Sequence, residues 1–276
     1  MSEPLVLPAP AKLNLLLHIT GRRPDGYHEL QSLFQLLDWG DTLTFTPDHS
    51  GRIALGGDTL GLAPADNLIT RAARALQHGS HGVHIHTTKR IPSGGGLGGG
   101  SSDAASTLLA LNRLWQCGHS NRQLQAIGLA LGADVPLFVA GHSAWAEGLG
   151  ERLSPVELPP AWYLIIHPGC HVPTGEIFSA RELTRNSPAI TMAAVFQGGH
   201  RNDCQEVVTT RYPEVAKALN WLAKFGDSRL TGTGACVFSR FDSRAAAQAV
   251  AVQVPEPWQA YVARGINRSP ALSALS

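Results

Sequence analysis

An α+β protein of two lobes is predicted by three observations. Period-two alternation of apolar residues, the pattern of half-buried strands, is interleaved with apolar stripes at helical spacing. A run of six glycines in seven positions, Gly94-Gly95-Gly96-Leu97-Gly98-Gly99-Gly100, stands between one such strand and one such helix. A proline-bearing connector near 151–160 divides the chain into stretches of comparable size, giving lobes over 1–152 and 153–276. With 276 residues, 43% of them apolar, the chain can bury one large core or two medium ones.

The elements follow in order. Pro8-Ala9-Pro10 stiffens the approach to an apolar strand over 13–19, which ends in the turn residues Gly21, Arg22, Arg23, Pro24, Asp25 and Gly26. An extended pattern resumes over 30–37, turns at Asp38-Trp39-Gly40-Asp41, and continues over 42–46, where Leu43 and Phe45 alternate with threonines. A helix over 67–77 collects Leu68, Ala72, Ala75 and Leu76 on one face, with Arg71 and Arg74 outside. The alternating strand over 83–88 leads into the glycine run. Beyond it, Ala105, Leu108, Leu109, Leu111 and Trp115 form the buried stripe of a helix starting near Ser102 or Asp103, both good N-cap types. A second helix, over 121–131, stops at Gly132. Pro136 suits the first turn of a short third helix, which puts Asp134 just before its start. The second lobe reads as a strand over 162–167 and a helix over 214–225. There follow the turn and strand Leu230-Thr231-Gly232-Thr233-Gly234-Ala235-Cys236-Val237-Phe238, a helix over 245–254 and a last alternation over 260–263.

Composition removes several function classes. A net charge of +1, from 22 basic and 21 acidic residues, argues against a general polyanion binder, so no nucleic-acid partner is expected. The cysteines, Cys117, Cys170, Cys204 and Cys236, lie far apart without a C-x-x-C pair, which suggests neither a zinc site nor a disulfide scaffold and favours a reducing compartment. No apolar run reaches membrane length and the amino end carries no apolar signal core, so a cytoplasmic location without a membrane partner is expected. Twelve histidines include no His-x-x-x-His pair with a third ligand, and His84 and His86 read as one solvated strand face.

The glycine run has the layout of an anion cradle. Residues without a Cβ let the backbone pass through φ > 0 and turn successive N–H groups toward phosphate oxygens, and the following helix adds its unpaired donors. It is not a Walker A loop, because Ser101 and Ser102 follow the glycines without a lysine. A Gly-x-Gly-x-x-Gly match at Gly94, Gly96 and Gly99 is nearly automatic in so dense a segment, and no acid lies at 114–124 to hold a ribose, so a dinucleotide-dependent oxidoreductase is set aside. A flexible linker is set aside too, since linkers do not run straight into a helix.

Three segments, Pro8-Ala9-Pro10-Ala11-Lys12-Leu13-Asn14, the glycine run and 230–238, together resemble the three motifs of the GHMP kinase superfamily of galactokinases, homoserine kinases and mevalonate kinases. The resemblance extends from about residue 8 to residue 270. It is sharpened by Gly21-Arg22-Arg23-Pro24-Asp25-Gly26-Tyr27-His28-Glu29-Leu30, by 36–41 and by 131–136, which resemble the branch acting on a cytidylyl sugar alcohol. The fold it implies is a ribosomal-protein-S5-like N-terminal domain followed by a ferredoxin-like C-terminal domain. The activity it implies is transfer of the ATP γ-phosphate to the 2-hydroxyl of 4-diphosphocytidyl-2-C-methyl-D-erythritol, in non-mevalonate isoprenoid synthesis.

The same resemblance makes Lys12 and Asp134 the catalytic pair. It wraps the triphosphate in Pro92, Ser93, Gly94, Gly95, Gly96, Leu97, Gly98, Gly99, Gly100, Ser101 and Ser102, with Lys89 near the adenine. Asn14 is assigned to the substrate polyol or phosphates. Tyr27 stacks on the pyrimidine, His28 hydrogen-bonds its edge and Phe178 closes its other face, while Gly232 and Gly234 bring a third backbone segment against the cleft. Magnesium is implied with ATP, Ser101, Ser102 and Glu147 being its candidate ligands, and the enzyme is expected as a monomer or homodimer. Read without the resemblance, Lys12 is a surface charge and Asp134 a helix cap. The rivals are a kinase of homoserine or of a mevalonate-type alcohol, and a nucleotide sensor without chemistry.

Overall fold

The computed structural model describes residues 3–196, 198 and 201–275. Strands β1 (Leu5–Arg22) and β2 (His28–Asp48) form a long antiparallel hairpin. The turn expected at Asp38-Trp39-Gly40-Asp41 does not form, and the chain stays extended through it. Gly40 is paired with Pro10, and a Cβ there would press into the Ala9 carbonyl, so glycine allows the close crossing next to the register shift between Pro10 and Lys12. Pro8 and Pro10 lie inside β1 rather than ahead of it. They are tolerated because, among the described residues, β2 is the one named strand that pairs with β1.

The first lobe continues through β3 (Ile53–Gly57), α1 (Leu68–Leu76), β4 (Gly82–Thr88), α2 (Gly99–Leu114), α3 (Asn121–Leu129), α4 (Val135–Ala140), β5 (Ala144–Glu147) and β6 (Arg152–Pro155). Asn67 caps α1 by accepting the Ile69 N–H at 2.9 Å, and Ser120 with Gln123 forms a capping box on α3. Helix α3 ends two residues sooner than expected, and the Gly132 N–H closes its last turn on the Gly128 carbonyl. Helix α2 starts at Gly99, three residues before Ser102, with Gly98 in the left-handed region as its N-cap. Small residues let this first turn pack tightly: a Cβ at Gly99 would stand 3.0 Å from Ile91.

The second lobe holds β7 (Trp162–His167), α5 (Thr174–Ser179), α6 (Met192–Phe196), α7 (Gln205–Arg211), α8 (Pro213–Leu222), β8 (Ser228–Leu230), β9 (Val237–Phe241), α9 (Arg244–Ala251) and β10 (Gln259–Ile266), and α10 (Pro270–Leu275) ends the chain. One sheet path, β3-β4-β2-β10-β7-β9-β8, crosses both lobes, antiparallel except between β3 and β4. Leu7, Leu43, Phe45 and Ile85 meet α1, α2 and α4 in the first core, and Leu164, Ile166, Val208, Val215 and Val237 build the second. A third cluster at the joint contains Leu13, Leu37, Leu97, Ile165 and Phe238. The glycine run is therefore anchored by Leu97 in the apolar seam between the lobes. The tail returns to the first lobe, where Ile266, Leu272 and Leu275 pack on its core. Among the described residues, no helix is long and apolar enough to cross a membrane.

Candidate active site

The glycine run meets a cleft of about 1080 Å³ that both lobes line. Its φ angles alternate, with Gly94 at +68°, Gly96 at +74° and Gly98 at +75°. This is the nest geometry that points successive N–H groups into one concavity. The carbonyl side is tied down: Lys12 N–H donates to Leu97 O at 3.0 Å, Ala235 N–H to Gly94 O at 2.9 Å, Cys236 N–H to Gly95 O at 3.1 Å, and the Thr231 hydroxyl to Gly96 O at 3.3 Å. Among the described residues, no N–H of 93–98 donates to a backbone carbonyl. Two distant segments thus hold the cradle rigid by its acceptors and leave its donors for an anion.

Lys12 enters beside this loop. A Cβ on Gly98 would stand 3.2 Å from its Cε, so the missing side chain is what admits the lysine. Its ammonium is buried, lies 3.4 Å from Asp134 Oδ2, donates to Asn14 Oδ1 at 2.5 Å and sits 5.4 Å from the centre of the Phe34 ring. Asp134 occupies the N-cap position of α4 without capping it, so its one-third-exposed carboxylate is turned to Lys12 and the cleft. Asn14 is itself buried. Its Nδ2 donates to Ser32 Oγ at 2.8 Å and its N–H to Thr231 Oγ1 at 3.0 Å, so its visible work is to hold Lys12 rather than to reach the cleft with a free amide.

Lys89 is held by two carboxylates. Its ammonium bridges Asp41 and Asp103, the latter at 2.6 Å, while Asp41 also accepts the N–H groups of Arg90 at 2.5 Å and Ile91 at 2.8 Å. Lys89 lines the cleft, yet its charge is spent bracing both ends of the phosphate loop. Burial, with the Asp41 carboxylate adding to it, pushes Asp103 up from its ordinary 3.8 to about 7 against the opposing pull of Lys89. Between those two values Asp103 holds its proton more firmly in the folded state than in the unfolded, so its contribution to stability falls as pH rises from about 4 to 7. Asp103→Asn is expected to flatten the slope of Tm against pH in that window, measured by thermal melts. An unaltered slope would show that another group carries it.

Of the expected loop and substrate residues, Lys12, Asn14, Tyr27, His28, Lys89, Asp134, Phe178, Gly232 and the run from Pro92 to Ser101 line the cleft. Ser102, Gly234 and Glu147 do not. Ser102 is fully buried within the first turn of α2, its hydroxyl unpartnered among the described residues. Gly234 faces the second core, where a Cβ would meet Leu230, Val208 and Val172. Glu147 accepts from Gln31 Nε2 at 3.2 Å on β5. Tyr27 is 64% exposed at the tip of the long hairpin, where the Arg23 N–H donates to its carbonyl at 2.8 Å. Phe178 and Tyr27 both line the cleft. The Phe178 ring rests on the His28 imidazole at 5.3 Å and 28°, because an aromatic ring on a short surface helix gains by covering its face with the nearest ring.

Several lining residues escaped sequence reasoning. Leu60 and Leu62 are half-exposed on a loop whose polar and glycine-rich neighbours carry no periodic signal, and with Leu68 they give the cleft an apolar wall. Thr174 and Thr233 share a hydrogen bond at 2.9 Å across the substrate side. Asp41 was visible in the sequence as a turn residue and as part of the 36–41 signature, with no sign of its pairing to Lys89.

The chain matches two family models, "GHMP kinases N terminal domain" over residues 67–142 and "GHMP kinases C terminal" over 180–260. It is 56% identical to a 4-diphosphocytidyl-2-C-methyl-D-erythritol kinase of Pseudomonas aeruginosa over 98% of this chain and 96% of the relative. A protein of the same name from Hahella chejuensis is 51% identical over 99% and 97%. Among solved structures, a 4-(cytidine 5'-diphospho)-2C-methyl-D-erythritol kinase superposes with a TM-score of 0.83 at 34% identity, over 95% of this chain and 99% of that one. A homoserine kinase from Cytophaga hutchinsonii, at 18% identity and a TM-score of 0.66 over 98% and 96%, shares the fold.

Proposed function

The chain belongs to the 4-diphosphocytidyl-2-C-methyl-D-erythritol kinase family of GHMP kinases, and from that membership we propose how its cleft carries out phosphoryl transfer from ATP to the 2-hydroxyl of the methylerythritol unit. The observation that carries the reading is the buried Lys12 ammonium, 3.4 Å from an Asp134 carboxylate that caps nothing, beside a glycine loop in which, among the described residues, no N–H of 93–98 donates to a backbone carbonyl. A loose phosphoryl-transfer transition state asks for positioning and charge neutralisation. The cradle binds the phosphates. Lys12, oriented by Asn14, neutralises charge on the group in transit, and Asp134 orients the hydroxyl and accepts its proton late, because an alcohol is too weak an acid to ionise beforehand. The adenine lies against Leu60, Leu62 and Leu68, a surface better suited to a flat ring than the ion-paired Lys89.

The cytosine is read by Tyr27 and His28, with Phe178 as the neighbouring aromatic wall. Of the candidate magnesium ligands, Ser101 lines the cleft, and its hydroxyl fits a hard cation that keeps most of its shell on phosphate and water. Bound with ATP, such a cation draws negative charge off the phosphates. In this reading 1–152 binds the nucleotide and 153–276 completes the substrate side, in a cytoplasmic enzyme whose four cysteines stay thiols.

The test is ADP release with ATP, magnesium and the cytidyl substrate, beside homoserine, mevalonate and 2-C-methyl-D-erythritol 4-phosphate. Turnover confined to the cytidyl substrate is expected. Turnover of another alcohol would overturn the base-reading role. Tyr27→Ala is expected to raise the KM for the cytidyl substrate about tenfold to a hundredfold, the worth of one stacked base, with little change in the KM for ATP. An unaltered KM would remove the stacking role.

A further inference from the structure

Arg185 lies outside the motifs and outside the cleft lining, yet it holds the substrate side together. Its Nε–H donates to His28 Nε2 at 3.0 Å. Its other nitrogens donate to three carbonyls at and just beyond the end of α5, Phe178 at 3.0 Å, Ala180 at 2.5 Å and Leu183 at 3.1 Å. A guanidinium has donors only. The nitrogen it meets on His28 must therefore be an acceptor, which excludes the imidazolium and leaves the neutral ring with its proton on Nδ1. Nδ1 has no partner among the described residues, and His28 lines the cleft. Burial of the ring and the nearby Arg185 and Arg22 charges lower the His28 pKa, in keeping with a ring that stays neutral.

We propose that Arg185 is a specificity-determining positioning residue: by occupying Nε2 it fixes His28 as an Nδ1–H donor, and that donor selects a pyrimidine whose N3 accepts. The proposal rests on the base-reading role given to His28 above. Cytosine N3 is a bare acceptor, whereas uracil N3 carries a proton that would face the His28 proton head-on. With the opposite tautomer the preference would reverse, since Nδ1 would then accept. The three carbonyl contacts serve the same end, because they lock the end of α5 that carries Phe178, whose ring packs on the imidazole and fixes its plane.

The experiment compares kcat/KM for the cytidyl substrate and its uridyl analogue in the full-length enzyme, in His28→Ala, in Arg185→Met, which has no donor, and in Arg185→Lys, which keeps one. A long-range 15N–1H correlation spectrum of the free wild-type enzyme reads the His28 tautomer directly. The expected spectrum shows the proton on Nδ1, and Arg185→Met moves it toward Nε2. The preference for cytidyl over uridyl is expected to drop about tenfold in Arg185→Met, through KM rather than kcat, with partial recovery in Arg185→Lys. If His28→Ala leaves the preference intact, the base-reading role fails and this proposal with it. If His28→Ala abolishes the preference while Arg185→Met keeps it, the proposal alone is overturned. Should Arg185→Met fail to fold, an Nε2–H or doubly protonated His28 in the wild-type spectrum still overturns it, and an Nδ1–H ring supports it.

Discussion

Replacing Asp134 by asparagine is expected to lower kcat by about 10²- to 10⁴-fold, the range of a positioned acid or base, while ATP still binds. Asparagine keeps the shape of the side chain and removes its charge and its ability to take a proton. The fold should hold, because Asp134 makes no capping bond that it depends on and its carboxylate is one-third exposed, and Lys12, though it loses this counter-charge, is still held by Asn14. The two KM values should therefore stay within a few-fold of wild type, and the thermal midpoint should hold. Lys12→Met is expected to be as damaging to kcat. The double variant should be little worse than either single one, since groups that act as a unit lose their joint effect once. Steady-state kinetics with nucleotide binding by titration separates these outcomes. Asp134→Asn retaining more than a tenth of the activity would remove it as the proton acceptor, and strict multiplicativity of the two losses would separate the pair.

Legibility of this site divides along a physical line. The loop, the helix after it and the short helix at Asp134 could be read because their instructions are local: glycines for φ > 0, a proline for a first turn, an apolar stripe for a buried face. The position of Asp134 ahead of α4 came from Val135 and Pro136 alone. What could not be read is what depends on partners far along the chain. The expected turn at 38–41 looked like punctuation, yet pairing with β1 kept it straight. The ion pairs of Lys89 could not be seen, because its partners Asp41 and Asp103 lie 48 and 14 residues away. Arg185 meets His28 across 157 residues. The start of α2 was misplaced for a local reason: serine and aspartate are better caps than glycine, but here tight packing on Ile91 and Phe138 outweighs cap preference. The functional roles themselves came from resemblance, because a lysine and an aspartate separated by 122 positions carry no spacing signal of their own.

Gly96→Ala is expected to do more harm than any other single methyl group added to this loop. At φ +74° an alanine costs about 1–2 kcal/mol in backbone strain alone. Gly118 supplies the control for that cost, since it has φ +71° and nothing within 4 Å of a built Cβ. Gly96 differs in what its methyl would meet: the Thr231 carbonyl inside van der Waals distance and the Gly234 carbonyl at 3.2 Å, both backbone and so unable to swing aside. The Thr231 carbonyl accepts the Gly234 N–H at 3.0 Å, and the Thr231 hydroxyl holds both the Gly96 carbonyl and the Asn14 N–H. Pushing that residue away loosens the cradle, the turn at 231–234 and the Asn14 that steadies Lys12 together. The expected result is a loss of at least about a hundredfold in kcat/KM for ATP, the scale set by misplacing reacting groups by an ångström, whereas Gly118→Ala lowers the thermal midpoint slightly and leaves kinetics alone. Equal effects of the two variants would mean that strain, and not the close approach of the third motif, is all that Gly96 relieves.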